Sequence, residues 1–169
     1  MKLLTTALIT LLLSLTFISS AQDFQVPADL PSTKEDFIKS EPDFIAAAKW
    51  LESTAIANDM DKRTKVNAWV IAWISNSPTV TIEIRGAMIK PFDKNPQLLS
   101  VYMAGFTRYS LENNYSKDEL LCNIAAMKSV VKCCNLGGEI KKDKNLTKLL
   151  DADKEGKLED WIKEALTAK

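Results

Sequence analysis

The chain has 169 residues, with 22 basic and 22 acidic side chains and no histidine. Its balanced charge gives it no electrostatic footprint for nucleic acid, because nucleic-acid binding depends on neutralising phosphates. The absence of histidine removes the commonest general base and the commonest metal ligand. An enzyme built from this chain would have to use carboxylates, lysine, tyrosine or cysteine, so we expect a non-enzymatic protein without a cofactor.

The N-terminus has the layout of a secretory signal peptide. Lys2 precedes an apolar stretch that ends at Ile18, and small residues precede a predicted cleavage site between Ala21 and Gln22. A membrane anchor is the alternative, because the uncharged stretch is just long enough to span a bilayer. Polar residues dilute it, so we predict a signal peptide at 1–21, export to the periplasm or medium, and no membrane contact after cleavage.

The remaining residues, 22–169, are predicted to form one compact all-α domain of six to eight helices. Apolar residues recur at helical spacing in most of this region. The predicted elements are a short turn at 33–39, a helix from Ser40, a helix from Asn58 to before Pro78, a helix at 85–94, a helix from Pro96, a helix after Ser116 that ends at Gly137-Gly138, and two shorter helices at 145–150 and 157–166.

Three of these helices begin with recognised N-terminal signals. The signals are the capping-box pairs Ser40 with Asp43 and Ser116 with Glu119, and Asn95 as the cap before Pro96. The helix from Pro96 is apolar nearly all round between 98 and 106, which predicts that it is the central one. Gly105 inside it costs about 1 kcal/mol relative to alanine, so we expect close contact with a neighbouring helix there.

One short segment at 79–84 has the period of a strand instead. Val80, Ile82 and Ile84 alternate with polar residues. A lone strand needs a partner, so this segment either pairs with another extended segment, such as the one at 24–26, or pairs with another chain, or simply leads into the next helix.

The three cysteines leave at least one thiol without an intrachain partner. On one helix, Cys122 and Cys133 lie about 16 Å apart, which is beyond the reach of a disulfide. Cys134 falls on the apolar stripe and is predicted to be in the core. Cys122 and Cys133 fall on another face, which is either a second packing surface or an exposed pair that links two chains as a disulfide-bonded dimer.

Residues 151–162 match ten positions of a calcium-binding loop of the EF-hand kind. Asp151, Asp153 and Glu155 stand at the first three ligand positions. The twelfth position, which needs a carboxylate that binds through both oxygens, is Ile162. The favoured interpretation is a polar turn between two helices with Ile162 in the core, and weak calcium binding through 151–160 is an alternative.

Two further patterns suggest a ligand site. Trp69 and Trp73 are four residues apart and could form a platform for a sugar ring or a cation, although burial in the core is the favoured interpretation. Arg108 and Tyr109 lie at the more polar end of the central helix and are a second candidate.

A small hydrolase that uses paired carboxylates is the third functional alternative. The candidate acids are Glu83, Glu112, Asp118 and Glu119, and they lie near Arg85, Arg108, Tyr109 and Tyr115 in the sequence. Sequence alone does not bring any two of these carboxylates to one cleft.

The stretches AWISNSPTVTIEI and GFTRYSLENNYSKDEL resemble a set of small exported proteins of Gram-negative bacteria with no assigned function. The resemblance implies a periplasmic α-helical protein and carries over no site residues. Together with the signal peptide, it favours an exported helical module that binds a protein partner or a small ligand.

Overall fold

The computed structural model describes residues 24–168, so the predicted signal peptide and its cleavage site at Ala21 and Gln22 lie outside the described residues. The described part contains seven α-helices and no β-strand, which confirms the all-α expectation. The helices are α1 (Lys34–Ser53), α2 (Met60–Asn76), α3 (Gly86–Ile89), α4 (Gln97–Glu112), α5 (Glu119–Asn135), α6 (Lys144–Lys154) and α7 (Leu158–Thr167), and a 3₁₀ turn (Lys90–Phe92) follows α3. None of the helices in this part of the chain is long and apolar enough to cross a bilayer.

The first helix is longer than predicted. It begins after Thr33, whose hydroxyl accepts a hydrogen bond from the Asp36 backbone N–H, while the Asp36 carboxylate accepts one from the Thr33 N–H. This capping box replaces the one predicted at Ser40, and Pro42 lies inside the helix instead of in its first turn. Phe37, which precedes the proline, is buried in the same core as the later apolar residues of α1. This burial favours a helix that continues through Pro42.

Helix α4 is central, as predicted. It packs against α1, α2 and α5, and Gly105 lies against Ala126 and Ser129 of α5. The role of Asn95 differs from the prediction, because Pro96 occupies the N-cap position. The Asn95 side chain instead donates to Lys141 O at 2.9 Å and accepts from Lys141 N at 2.8 Å, so it joins the start of α4 to the segment before α6.

Helix α5 also begins differently. Its cap is Asp118, whose carboxylate accepts a hydrogen bond from the Leu121 N–H at 2.9 Å, and not Ser116. Glu119 is therefore free to form an ion pair elsewhere. The helix ends before Gly137 and Gly138, which have φ angles of +77° and +107°, so the predicted glycine stop is confirmed.

The cysteines of α5 are buried in the opposite order to the prediction. Cys122 and Cys133 are completely buried, whereas Cys134 is only half-buried against the core. Cys122, Ala126 and Ser129 share one face of α5, and their small side chains let α4 approach closely. That face is therefore more deeply buried than the side of the helix that carries Cys134. Of the two alternatives for Cys122 and Cys133, the structure therefore shows the packing surface.

Candidate functional site

The tryptophan pair of α2 lies in the core. Trp73 is fully buried and Trp69 is 6% exposed. The Trp73 ring lies 5.3 Å from Phe37 and 4.5 Å from Phe44, and its indole N–H donates to Ser40 Oγ at 2.8 Å. Neither indole leaves an open ring face for a ligand, in agreement with the favoured interpretation.

Arg108 is part of a structural charge cluster. It donates to Glu52 Oε1 at 2.9 Å, and Lys132 Nζ donates to the same oxygen at 2.9 Å. Ser129 Oγ donates to Glu52 Oε2 at 2.7 Å. This carboxylate thus joins α1, α4 and α5, and Tyr109 beside Arg108 packs half-buried against the core.

Burial tends to raise the pKa of the Glu52 carboxyl, but the hydrogen bonds from Lys132 and Ser129 and the charge of Arg108 outweigh it. The pKa is therefore lowered and the group is ionised at neutral pH. Sequence reasoning missed Glu52, because nothing in its local sequence distinguishes it from the other acids of the chain.

The predicted calcium ligands are not brought together. Asp151 and Asp153 lie in the last turn of α6, and the Glu155 carboxylate accepts a hydrogen bond from Lys157 at 2.7 Å. Residues 24–168 contain no group of three or more acidic or cysteine side chains that could hold a metal ion. Ile162 is completely buried, which confirms its expected place in the core.

The candidate catalytic carboxylates are mostly dispersed among structural contacts. Glu112 pairs with Lys49 at 2.9 Å, and Asp118 caps α5. Only Glu83 and Glu119 approach each other, because both contact Arg85, at 3.8 Å and 2.6 Å. A guanidinium between two carboxylates makes an ion-pair network, which is a different arrangement from two carboxylates that face a substrate across a cleft.

The segment at 79–84 belongs to neither a helix nor a strand, so among the described residues it is the lead-in to α3. Ser77 and Arg85, on either side of it, have extended backbone. Val80 is buried and Ile82 is half-buried against the core, whereas Thr81, Glu83 and Ile84 are exposed. Ser77 Oγ accepts hydrogen bonds from the backbone N–H groups of residues 79 and 80, at 3.3 Å each. From residue 81 to residue 84, no backbone hydrogen bond forms within the described part of the chain.

A groove of about 400 Å³ runs beside this segment. We call it the segment groove. It is lined by Pro78, Thr79, Val80, Thr81 and Glu83 of the segment, Phe106 and Ser110 of α4, Tyr115, Ser116 and Lys117 of the following turn, and Glu119 of α5. The groove is therefore lined by residues of the segment, by the apolar side chain of Phe106 and by polar residues of the turn and α5.

The turn on the far side of the segment groove is held in an uncommon backbone conformation. Asn114 and Tyr115 have φ angles of +55° and +58°, which few non-glycine residues adopt and which costs free energy. Two hydrogen bonds between Ser110 and Ser116 close the turn, one from Ser110 Oγ to Ser116 O at 2.9 Å and one from Ser116 N to Ser110 O at 3.1 Å. The surrounding contacts thus offset the strain and fix the Tyr115 ring at the groove.

Tyr115 also reaches helix α1. Its hydroxyl donates a hydrogen bond to Glu41 Oε2 at 3.2 Å, and burial raises the pKa of the Glu41 carboxyl. The C-terminal end of the segment is fixed too, because Arg85 donates to both oxygens of Glu119, at 2.6 Å and 3.1 Å, and to Leu166 O of α7 at 3.2 Å. The unpaired segment is therefore anchored at both ends, by Ser77 and by Arg85.

No protein-family model, curated protein sequence or solved structure matches this chain. The geometry of the described residues is therefore the basis for a functional proposal. The strand-like alternation at 79–84 was the sequence signal for this site. No sequence pattern indicated that residues 106–119 supply the opposite wall of the groove, because only the fold brings them close to residues 79–84.

Proposed function

We propose that this protein is a non-enzymatic, exported helical module that binds a partner protein by adding an extended stretch of that partner to residues 79–84. The observation that carries the proposal is that residues 81–84 lie outside any helix or strand and form no backbone hydrogen bond with residues 24–168. The predicted signal peptide supports the exported part of the proposal.

An extended peptide is the ligand that matches such a backbone. Its N–H and C=O groups have the same repeat along the chain as those of residues 81–84, so the two can form a ladder. Each ladder hydrogen bond contributes about 0.5–1.5 kcal/mol net, so main-chain pairing alone gives modest affinity. A compact globular surface or a helix cannot supply a matching row of main-chain donors and acceptors.

Side chains of the added peptide would provide specificity. Alternate side chains of a strand point to the same face, so every second residue of the partner would face the segment groove. Val80 and Phe106 are apolar and almost fully buried at the base of the groove, while Tyr115 and Lys117 are on its rim. This arrangement favours a partner strand with an aliphatic side chain at the groove position and polar residues on either side.

The fixed ends of the segment reduce the entropic cost of binding. Since the hydrogen bonds of Ser77 and Arg85 already fix the two ends of the segment, less backbone freedom is lost when a peptide is added. The short length of the segment also protects the free protein from uncontrolled edge-to-edge association.

The test is selection of displayed random peptides against the mature chain, followed by amide hydrogen exchange of the complex. We expect the selected peptides to protect alternate amides of residues 81–84, because successive N–H groups of an extended strand point to opposite edges and one added strand pairs with one edge. Selection of peptides that leave all four amides unprotected would contradict the proposal.

Two variants of Thr81 make the test specific for main-chain pairing. Thr81→Pro removes the backbone N–H, whereas Thr81→Ala removes the side chain and keeps the N–H. We expect Thr81→Ala to bind the selected peptide and Thr81→Pro to lose about tenfold in affinity or more, as expected from about 1.4 kcal/mol. Equal binding by the two variants would show that recognition does not use the backbone of the segment.

A further inference from the structure

Two adjoining hollows at the C-terminal end of the chain share one aromatic side chain. The first, of about 260 Å³, lies between the 3₁₀ turn, α6 and α7. The second, of about 290 Å³, lies over the connection from α6 to α7. Lys148, Trp161 and Glu164 line both hollows, so the two hollows adjoin at these side chains. We call the pair of hollows the Trp161 groove.

Trp161 is held in place but not covered. Leu158 and Ile162 on the same helix are buried, and they fix α7 on the body of the protein. Trp161 lies at the edge of this buried face and is half-buried. This indole therefore differs from Trp69 and Trp73, because it keeps part of its surface available to a ligand.

The polar side chains around Trp161 are largely without partners. Lys148, Asp151 and Glu164 form no side-chain hydrogen bond or ion pair within residues 24–168, and Asp160 interacts through its charge with Lys157 and Lys163. Neighbouring charges do pair, as in Glu155 with Lys157 at 2.7 Å. The unpaired groups could therefore bind a ligand without first breaking an internal ion pair.

The charges are separated along the groove. Lys148 and Glu164 line both hollows. Lys90 lines only the first hollow, whereas Asp151 and Asp160 line only the second, beside the internal Glu155–Lys157 pair. A cation is favoured near the acids and near the face of an indole, and an anion is favoured near the two lysines.

We propose that the Trp161 groove binds a basic amino acid that carries a free carboxylate, either as the free amino acid or as the C-terminal residue of a peptide. The side-chain cation lies in the acidic hollow, the carboxylate lies between Lys90 and Lys148, and the methylene stem crosses the Trp161 ring. Apolar stems of this kind pack on aromatic surface while their charged ends stay solvated. This site is separate from the segment groove, and the proposal does not depend on strand addition.

The test follows the Trp161 indole N–H signal by NMR while L-arginine is added to the mature chain. We expect this signal to shift in a saturable way, and we expect argininamide, which lacks the carboxylate, to bind at least about tenfold more weakly. Absence of any saturable shift with arginine would overturn the proposal. Equal affinity for arginine and argininamide would overturn it too, because the lysines would then play no part.

Two variants with a matched control locate the site. Lys90→Gln removes an exposed charge that lines only the first hollow, and we expect it to weaken arginine binding while leaving argininamide binding unchanged. Lys128→Gln removes an exposed lysine of α5 that does not line the groove, and we expect no effect. An equal loss in both variants would show a non-specific charge effect and would contradict the proposal.

The source of the ligand is distinguished by a short N-acetylated peptide that ends in arginine. Stronger binding of this peptide than of free arginine indicates a peptide C-terminus. Stronger binding of the free amino acid indicates a metabolite site, because a free α-amino group then contributes. In both outcomes the ligand places its cation on one side of Trp161 and its carboxylate on the other.

Discussion

Gly105 of α4 lies directly against Ser129 of α5. A Cβ atom placed on Gly105 would be 2.6 Å from Ser129 Oγ, which is too close for a side-chain carbon, and 3.1 Å from Ala126 Cα, which is a tight contact. Ser129 Oγ also donates to Glu52 Oε2 at 2.7 Å. The contact between α4 and α5 at Gly105 therefore adjoins the charge cluster that joins both helices to α1, because Ser129 belongs to both.

We expect Gly105→Ala to lower the free energy of unfolding by about 1–3 kcal/mol, the range for overpacking in a core. Alanine gains about 1 kcal/mol in helix propensity, but Ser129 must move to admit the methyl group, and its hydrogen bond to Glu52 weakens. Urea unfolding measures the change. Gly86→Ala is the control, because a Cβ at Gly86 meets nothing within 4 Å, and we expect it to be neutral or slightly stabilising. Equal stability of the two variants would contradict the close helix contact.

We expect Glu52→Gln to lower the free energy of unfolding by about 3 kcal/mol, because Arg108 loses the nearer of its two carboxylate partners while the side-chain shape is nearly kept. Thermal or urea unfolding at neutral pH measures it. Glu159→Gln is the matched control: its ion pair with Lys163 is exposed, at 56% and 53% of the two side chains, so we expect at most about 1 kcal/mol. A change of at most about 1 kcal/mol in Glu52→Gln would show that the charge cluster around Glu52 contributes little to the free energy of unfolding.

The same carboxyl makes stability depend on pH. The pKa of Glu52 is lower in the folded protein than in the unfolded chain, so its contribution is complete above about pH 4.3, the ordinary value for glutamate. The contribution is lost as the pH falls through the folded-state pKa, because the unfolded chain then binds more protons. We expect the stability difference between the wild-type protein and Glu52→Gln to shrink below about pH 4.3. A difference that stays constant down to about pH 3 would contradict the lowered pKa.

We expect the cysteine thiols to react slowly with thiol reagents in the folded protein. Burial raises the pKa of Cys122 to about 11 and that of Cys134 to about 12, and Cys133 is fully covered. Few thiolates therefore exist at about pH 8, and we expect labelling to accelerate by about tenfold or more in denaturant. Rapid labelling of Cys122 or Cys133 in the native protein would show that α5 opens locally, which a disulfide-linked dimer through either thiol requires.

We expect calcium to leave the melting temperature of the mature chain unchanged relative to chelator. Asp151 and Asp153 are in the last helical turn of α6, and Ile162 is in the core where a bidentate carboxylate would be needed. A ligand at 100 times its dissociation constant stabilises by about 2.7 kcal/mol, which corresponds to roughly 5–10 °C for a chain of this size. A shift of that size would show that residues 151–160 rearrange to bind the ion.

The first residues of the helices could not be predicted reliably from local sequence signals. Ser40 and Ser116 each resemble a cap, but so do Thr33 and Asp118, which lie within a few residues of them and become the caps in the structure. Competing caps differ by about 1 kcal/mol or less, so burial of whole helices decides between them. The glycine stop after α5 was predictable because Gly137 and Gly138 adopt positive φ angles with little strain.

The sequence by itself determined the helical class, the central position of α4 and the place of Ile162 in the core. Those features follow from the spacing of apolar residues within single helices, which is a local property. Only the tertiary structure decided that Glu52 meets Arg108 and that Trp161 keeps an open surface while Trp73 does not. It also decided that residues 81–84 form no backbone hydrogen bond with residues 24–168 and lie near Phe106 and Tyr115. These relationships join residues far apart in the chain, so they depend on how whole helices pack and not on the period of any one of them.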